Sequence, residues 1–180
     1  MNHTKKLFAL TSLFIICFCS KLFATGAGVQ IGGNPGLYIN DNSVKPDYFS
    51  GTLTGTLRFS RIPMSVGFGF EAGKSFSDFA YGFSGFADYY LIDVQLKNTW
   101  NLYSGLGIEG NLLTPDFKDC SASAGARMFV GMNWLFYDNY LEFYAQQNIV
   151  PGWIKSLSQS DSKGAFILKL PLEAGIRFHF

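Results

Sequence analysis

Eight charged side chains alternate with apolar residues along this sequence, and they are the residues best placed to do chemistry. They are Arg58, Glu71, Asp88, Glu109, Arg127, Glu142, Glu173 and Arg177. Five carboxylates and three guanidinium groups make a nearly balanced set. Lys169, which we expect at the edge of the set, adds a fourth base. Charges removed from water require pairing and hydrogen bonds. The set therefore predicts a structural ion-pair network, with a water-filled path or ligand cavity as the alternative.

Residue types that support catalysis or metal binding are scarce. After residue 24 the sequence contains one histidine, His179, and one cysteine, Cys120. A single His and a single Cys do not make a zinc site, and Gly105 and Gly107 lie in an alternating segment rather than before a helix. We expect no enzymatic activity, no metal and no cofactor. The formal net charge of +1 makes a nucleic-acid partner unfavourable, and Cys120 is expected to be tolerated rather than reactive.

The last fifteen residues indicate which element positions these charges. Every second residue is apolar: Phe166, Leu168, Leu170, Leu172, Ala174, Ile176, Phe178 and Phe180. Lys169, Glu173 and Arg177 lie between them. A period of two predicts a strand with one apolar and one polar face.

Seven earlier segments follow the same pattern, near residues 29–31, 49–60, 66–73, 79–91, 100–109, 122–134 and 141–149. In the six of these segments that begin at residue 49 or later, a charged residue falls opposite the apolar stripe. A Lys or Arg facing lipid at mid-depth costs about 2–4 kcal/mol, so we expect the apolar stripes outside and the charges inside. The predicted fold is all-β, a closed antiparallel eight-stranded up-and-down transmembrane barrel. Eight strands leave an interior just wide enough for side chains.

The N-terminal segment predicts export. Lys5 and Lys6 precede an apolar run at 7–19, which is too short to be a spanning helix. Cleavage after Ala24 divides the chain into a signal peptide, 1–24, and a barrel domain, 25–180. A lipid-modified Cys17 or Cys19 is the alternative, disfavoured because large residues precede both.

Connection lengths predict which barrel end faces outside. Long links are expected at Gly33–Asp47, Leu113–Cys120 and Pro151–Lys163, and short ones at Arg61–Pro63, Lys74–Asp78, Asp93–Asn98 and Tyr137–Asn139. Long loops face outside and short turns face the periplasm in such barrels. An aromatic girdle is expected on the short-turn side, from Trp100, Trp134, Tyr89, Tyr137, Tyr140 and Phe180.

The ending of the chain carries a family resemblance. Pro171, Glu173, Gly175, Arg177, Phe178 and Phe180 resemble the closing strand of the small OmpA/OmpX/OmpW-type outer-membrane barrels. Further stretches, such as 87–90, 100–103 and 133–134, are similar to uncharacterised barrels of spirochaete-like bacteria. The resemblance implies the outer membrane of a diderm bacterium, reached through the periplasm, and contact with outer-membrane lipid. It also implies that the barrel-assembly machinery reads Leu172, Ala174, Ile176, Phe178 and Phe180.

Pro171 departs from a regular strand because it has no N–H to donate, and we expect a bulge there.

Three functions remain open at the level of sequence. The preferred one is a structural or surface-interaction protein whose long loops meet an external partner. The second is an OmpW-like channel for small hydrophobic molecules, for which inward Phe86, Phe129 and Ile167 are the only indications. The third is a soluble lipocalin-like binder, which would place its apolar face inside and its charges outside.

Overall fold

The computed structural model describes residues 24–40, 43–59, 61–75, 78–97, 99–116, 119–158 and 164–180. Nine strands run through these residues: β1 (Ala24–Asn40), β2 (Ser43–Phe59), β3 (Met64–Ser75), β4 (Asp78–Lys97), β5 (Trp100–Thr114), β6 (Ser121–Phe136), β7 (Leu141–Ser156), β8 (Ala165–Lys169) and β9 (Leu172–His179). No helix long and apolar enough to cross a membrane occurs in these ranges. The predicted signal peptide lies outside them, apart from Ala24.

All strand pairs are antiparallel, and the sheet closes on itself. Each strand from β2 to β7 pairs with its neighbours in sequence, and β1 pairs with β2 on one side and with β8 and β9 on the other. The strands follow one another around the wall in chain order. The predicted fold class, a closed antiparallel up-and-down barrel, is therefore confirmed.

The segments β8 and β9 occupy a single position in the wall. Gly33 of β1 lies opposite Leu172 of β9, and Gly36 lies opposite Lys169 of β8. Three residues along β1 thus match three residues from Lys169 to Leu172. The strand register therefore continues unchanged across the interruption at Leu170 and Pro171, which separates β8 from β9. The wall has eight strand positions, as predicted. The predicted bulge at Pro171 is wrong, because a bulge would shift this register.

Hydrogen bonds from neighbouring strands bridge the interruption instead. The Leu170 N–H donates to the Pro35 carbonyl at 2.8 Å, and the Asn148 N–H donates to the Pro171 carbonyl at 2.8 Å. The side-chain amide of Gln147 donates to the carbonyls of Leu170 and Pro171 at 3.2 and 3.0 Å. The proline therefore removes one donor from the ladder without displacing the chain.

Apolar and polar residues divide between the two faces of the wall as the alternation predicts. Phe68 and Ile108 are each 67% exposed on the outer face, whereas Glu71 and Asp88 are 0% and 1% exposed inside. Every strand position carries large apolar side chains on its outer face, drawn mainly from Val, Ile, Leu, Phe and Met. A surface of this kind is stable against hydrocarbon and unfavourable in water.

Several connections are shorter than predicted. The predicted long loop Gly33–Asp47 is wrong, because β1 continues to Asn40 and β2 resumes at Ser43. The predicted turn Asp93–Asn98 is largely strand, since β4 runs to Lys97, and the predicted loop Pro151–Lys163 begins later, since β7 runs to Ser156. Glycine and proline suggested turns in two of these segments. At Pro35 the missing N–H is tolerated because this residue faces the Leu170–Pro171 interruption.

The two barrel ends differ in their links. The terminal end, which holds both chain ends of the barrel, has links 60–63, 98–99 and 137–140. The far end has links 41–42, 76–77, 115–120 and 157–164. Tyr137, Asp138 and Asn139 all have positive φ angles, between 50° and 72°, which makes a tight turn where it was predicted. The two longest links lie at the far end, rather than the three predicted.

Candidate functional site

The barrel lumen collects the buried polar residues and is the candidate functional site. Its terminal end holds a first group, the terminal-end cluster, made of Arg58, Asp93, Glu142, Arg177 and His179. Glu142 accepts from the Arg177 guanidinium at 2.8 Å and lies 2.7 Å from the His179 imidazole. Arg58 pairs with Asp93 at 3.0 Å. All of these residues except Arg177 border an open hollow of about 330 Å³ at the barrel mouth.

An aromatic layer lies above this cluster. It consists of Tyr90, Tyr103, Phe129 and Tyr144, all buried. The Tyr90 ring packs edge-on against Tyr103 and Phe129, with 5.3 Å between ring centroids in each case. The guanidinium carbon of Arg58 lies 3.8 Å from the Tyr90 ring centre, and that of Arg177 lies 4.5 Å from the Tyr144 ring centre. The layer separates the mouth from the middle of the lumen.

The central cluster is organised around Arg127. Its Nε and Nη2 donate to the two carboxylate oxygens of Asp88 at 2.9 and 3.2 Å. Its Nη1 donates to Glu109 at 3.1 Å, and its Nη2 to Glu173 at 2.8 Å. Lys169 completes the cluster by pairing with Glu109. Each carboxylate in this cluster therefore contacts a cation, which buried charges require.

Glu71 belongs to a separate group, the Glu71 cluster, which contains no cation among the described residues. Its carboxylate accepts hydrogen bonds from Asn34 at 3.3 Å and from Tyr48, Ser50 and Asn111. All four partners are neutral donors. This carboxylate is buried completely and is satisfied by hydrogen bonds rather than by an ion pair.

An apolar cap closes the lumen toward the far end. It consists of Tyr38, Tyr48, Ala80, Leu113, Ile154, Ala165 and Ile167, all buried. The Tyr38 and Tyr48 rings meet edge to face at 6.1 Å. The cap and the aromatic layer enclose the central and Glu71 clusters, between which lies a cavity of about 20 Å³. That volume suits about one water molecule.

The eight charges predicted from the sequence fall into these groups unequally. The structure brings Asp88, Glu109, Arg127 and Glu173 together, and it separately joins Glu142 to Arg177. Arg58 pairs outside the predicted set, with Asp93. Glu71 has no ion-pair partner among the described residues and is held by neutral hydrogen-bond donors instead.

Sequence reasoning missed three residues of these groups. Asp93 was placed in a turn, because the strand was expected to end before it. His179 was considered only as a catalytic or metal-binding residue and rejected, and its contact with Glu142 was not predicted. Asn34 fell within a predicted loop, although the alternation of Gln30, Gly32 and Asn34 was a signal that the strand continues inward.

The outer surface of the closing strand carries the residues of the predicted assembly signal. Leu172, Ala174, Ile176, Phe178 and Phe180 all point away from the lumen and are exposed. Aromatic residues meet in pairs on the wall at the terminal end. Trp100 stacks on Trp134 at 4.6 Å, and Tyr140 lies 5.9 Å from Phe178, measured between ring centroids.

The described residues contain one free thiol and no candidate metal site. No three His, Cys, Asp or Glu side chains converge as metal ligands within the described ranges. Cys120 is a free thiol in the link between β5 and β6, where its N–H donates to Ser158 at 2.8 Å.

Comparison with known proteins bears on the fold. No family model and no curated protein matches the sequence. Among solved structures, Neisserial surface protein A is similar over 86% of this chain and 97% of its own, with a TM-score of 0.52 and 15% identity. Ail of Yersinia pestis covers 87% of this chain and 100% of its own (TM-score 0.43, 12% identity), and the OprF barrel domain of Pseudomonas aeruginosa covers 86% and 98% (TM-score 0.45, 11% identity). The first likeness shows that this chain has the fold of small outer-membrane β-barrels.

Proposed function

We propose that this chain is an outer-membrane β-barrel protein with a structural or surface-interaction role and a sealed lumen. The single observation that carries the proposal is the inside-out distribution of its residues. Apolar side chains cover the outer wall, while ion pairs and hydrogen-bonded amides fill the interior. This distribution fits a lipid environment outside and disfavours the soluble lipocalin-like alternative.

The filling of the lumen supports a role that does not involve transport. A small hydrophobic molecule would need a continuous apolar cavity of hundreds of Å³. The enclosed cavity has about 20 Å³ and is lined by carboxylates, amides and hydroxyls. Three inward residues had suggested a channel. Ile167 packs in the apolar cap and Phe129 packs in the aromatic layer. The Phe86 ring packs against Arg127, with 4.4 Å between the ring centre and the guanidinium carbon. A sealed, rigid barrel is suited to presenting its surface.

The far end is the surface proposed to face outside the cell. Its links 115–120 and 157–164 are the longest, and long links lie outside in barrels of this kind. The name of Neisserial surface protein A is consistent with this role. In this proposal the outward side chains of the closing strand are read by the barrel-assembly machinery after export through the periplasm.

Two measurements test the proposal. An epitope inserted at 157–164 should bind antibody on intact cells that express the barrel in their outer membrane, and the same epitope at 137–140 should bind only after lysis. The purified barrel should show no steady conductance in planar bilayers. Antibody access to 137–140 alone would reverse the orientation. Steady conductance, or uptake of a small hydrophobic solute, would replace the sealed barrel with a channel.

A further inference from the structure

The charges in the middle of the lumen do not balance. Its carboxylates and cations are Glu71, Asp88, Glu109, Glu173, Arg127 and Lys169. Four acids and two bases leave two negative charges in excess if all are ionised. Arg127 and Lys169 contact the other three acids, so one excess charge lies at Glu71 and the other within the central cluster. Because a buried anion without a counter-ion is unfavourable, a positive ligand here would stabilise the barrel.

A cavity is present where that excess lies. It is bordered by the carboxylates of Glu71, Glu109 and Glu173 and by Asn34, Thr52 and Arg127, and its volume is about 20 Å³. A cavity needs about 10–15 Å³ to hold one water molecule. One small ion therefore fits, and a larger organic cation does not.

Asn34 provides a second, independent indication of a ligand. Its Nδ2 donates to Ser50 at 3.2 Å and to Glu71 at 3.3 Å. A carboxylate accepts and does not donate, which fixes the amide nitrogen toward Glu71. The Oδ1 atom is therefore turned away from Glu71, and it has no hydrogen-bond partner in the described part of the chain although the residue is only 5% exposed. An unpaired buried carbonyl is costly unless something binds it.

Gly32 leaves the space in which these oxygens converge. A Cβ atom at this position would lie 2.7 Å from Thr52 Oγ1, 3.1 Å from Glu173 Cγ and 3.6 Å from Asn34 Oδ1. A hydroxyl, a carboxylate-bearing side chain and an amide carbonyl thus border one gap in the inner wall.

We propose that the lumen binds one small monovalent cation of the size of sodium, in the gap beside Gly32, between Asn34 Oδ1, Thr52 Oγ1 and the Glu173 carboxylate. Hard cations take oxygen ligands of this kind. A divalent ion is disfavoured because no group of three His, Cys, Asp or Glu ligands is present among the described residues, so neutral oxygens supply much of the site. The ion neutralises part of the excess charge and gives Asn34 Oδ1 a partner. This inference goes beyond the proposed function and does not depend on the surface role.

The test is the thermal unfolding midpoint of the mature barrel, refolded in neutral detergent and followed by circular dichroism. Sodium chloride is exchanged for choline chloride at constant ionic strength and pH, because choline is too large for the cavity. At a hundredfold excess of sodium over its dissociation constant, binding to the folded state alone should raise the midpoint by about 5–10 °C, with saturation. Potassium should give a smaller rise.

Two neighbouring glycines give a matched pair of variants. Gly32→Ala places a methyl group in the gap and should abolish the sodium-dependent rise. Gly33→Ala is the control, because no atom lies within 4 Å of its added Cβ, and it should keep the rise. Thr52→Val removes one ligand oxygen with little change in shape and should reduce the rise, which preserves the test if Gly32→Ala does not fold.

Equal wild-type midpoints in sodium and choline would overturn the proposal and assign the cavity to water or the excess charge to a bound proton. A sodium response undiminished in both Gly32→Ala and Thr52→Val would also overturn it, since the ion would then act elsewhere.

Discussion

Arg127 on β6 reaches past β7 to Glu173 on β9, where its Nη2 lies 2.8 Å from the carboxylate Oε2. The same guanidinium contacts Asp88 on β4 and Glu109 on β5. It also donates to Asn148 on β7 at 3.2 Å, so one side chain connects five strands through the lumen. It also separates three carboxylates that would otherwise face one another.

Arg127→Met should lower the free energy of unfolding by about 3–5 kcal/mol, because it leaves buried carboxylates without their cation. The measurement is urea unfolding in detergent, followed by tryptophan fluorescence. Lys74→Met is the control: it breaks an exposed pair with Asp47 at 3.5 Å and should cost at most about 1 kcal/mol. Equal losses for the two variants would show that the central cluster contributes no more than a surface pair.

Ile108→Lys should lower the free energy of unfolding by about 2–4 kcal/mol in lipid, because it places a charge near mid-depth of the outer wall. Val44→Lys makes a similar change near the tip of the β1–β2 hairpin and should cost about 0–1 kcal/mol. Both side chains are exposed, so burial within the protein does not distinguish them. Urea titration in lipid vesicles compares the two, and similar costs would contradict the placement of lipid around Ile108.

Gln147→Leu should destabilise the barrel by about 1–3 kcal/mol, although leucine is the better residue against lipid. Its amide donates to the carbonyls of Leu170 and Pro171 at 3.2 and 3.0 Å. The Pro171 carbonyl keeps its bond from the Asn148 N–H, so the cost comes from the Leu170 carbonyl, because an unsatisfied carbonyl in hydrocarbon is costly. Met128→Leu on the same outer face is the control and should be nearly neutral. A stabilised Gln147→Leu variant in vesicles would mean that these two hydrogen bonds are dispensable.

Glu142 and Arg177 should be coupled in a double-mutant cycle. Their side chains lie 2.8 Å apart and are both buried, so Glu142→Gln and Arg177→Met should together cost less than the sum of the single changes. The expected coupling is about 0.5–3 kcal/mol. Effects that add within about 0.3–0.5 kcal/mol, as at independent sites, would show that the two residues do not interact.

The alternation in the sequence predicted the wall of the barrel because it follows from the backbone. In a strand, successive side chains point to opposite faces, so Phe178 and Arg177 are assigned as soon as the period is recognised. The outward and inward side chains of the closing strand could therefore be assigned from the sequence alone.

Strand ends and partners could not be predicted in the same way. Cross-strand hydrogen bonds extend β1 through Gly33 and Pro35, residues that in isolation favour turns. Partners within the lumen depend on shear and tilt, which place Arg127 near Glu173 across an intervening strand and leave Glu71 with neutral donors only. Pairwise geometry of this kind is absent from a one-dimensional pattern.

The most direct test of the inside-out barrel is quenching of single tryptophans by brominated lipid. In a background with Trp100, Trp134 and Trp153 replaced by Phe, one tryptophan is introduced by Met128→Trp, Phe129→Trp or Val130→Trp. Met128 and Val130 are exposed on the outer wall, and Phe129 is buried in the aromatic layer. An inside-out barrel predicts strong quenching of the tryptophans at 128 and 130 and little quenching at 129. Quenching at 129 with protection at 128 and 130 would contradict it.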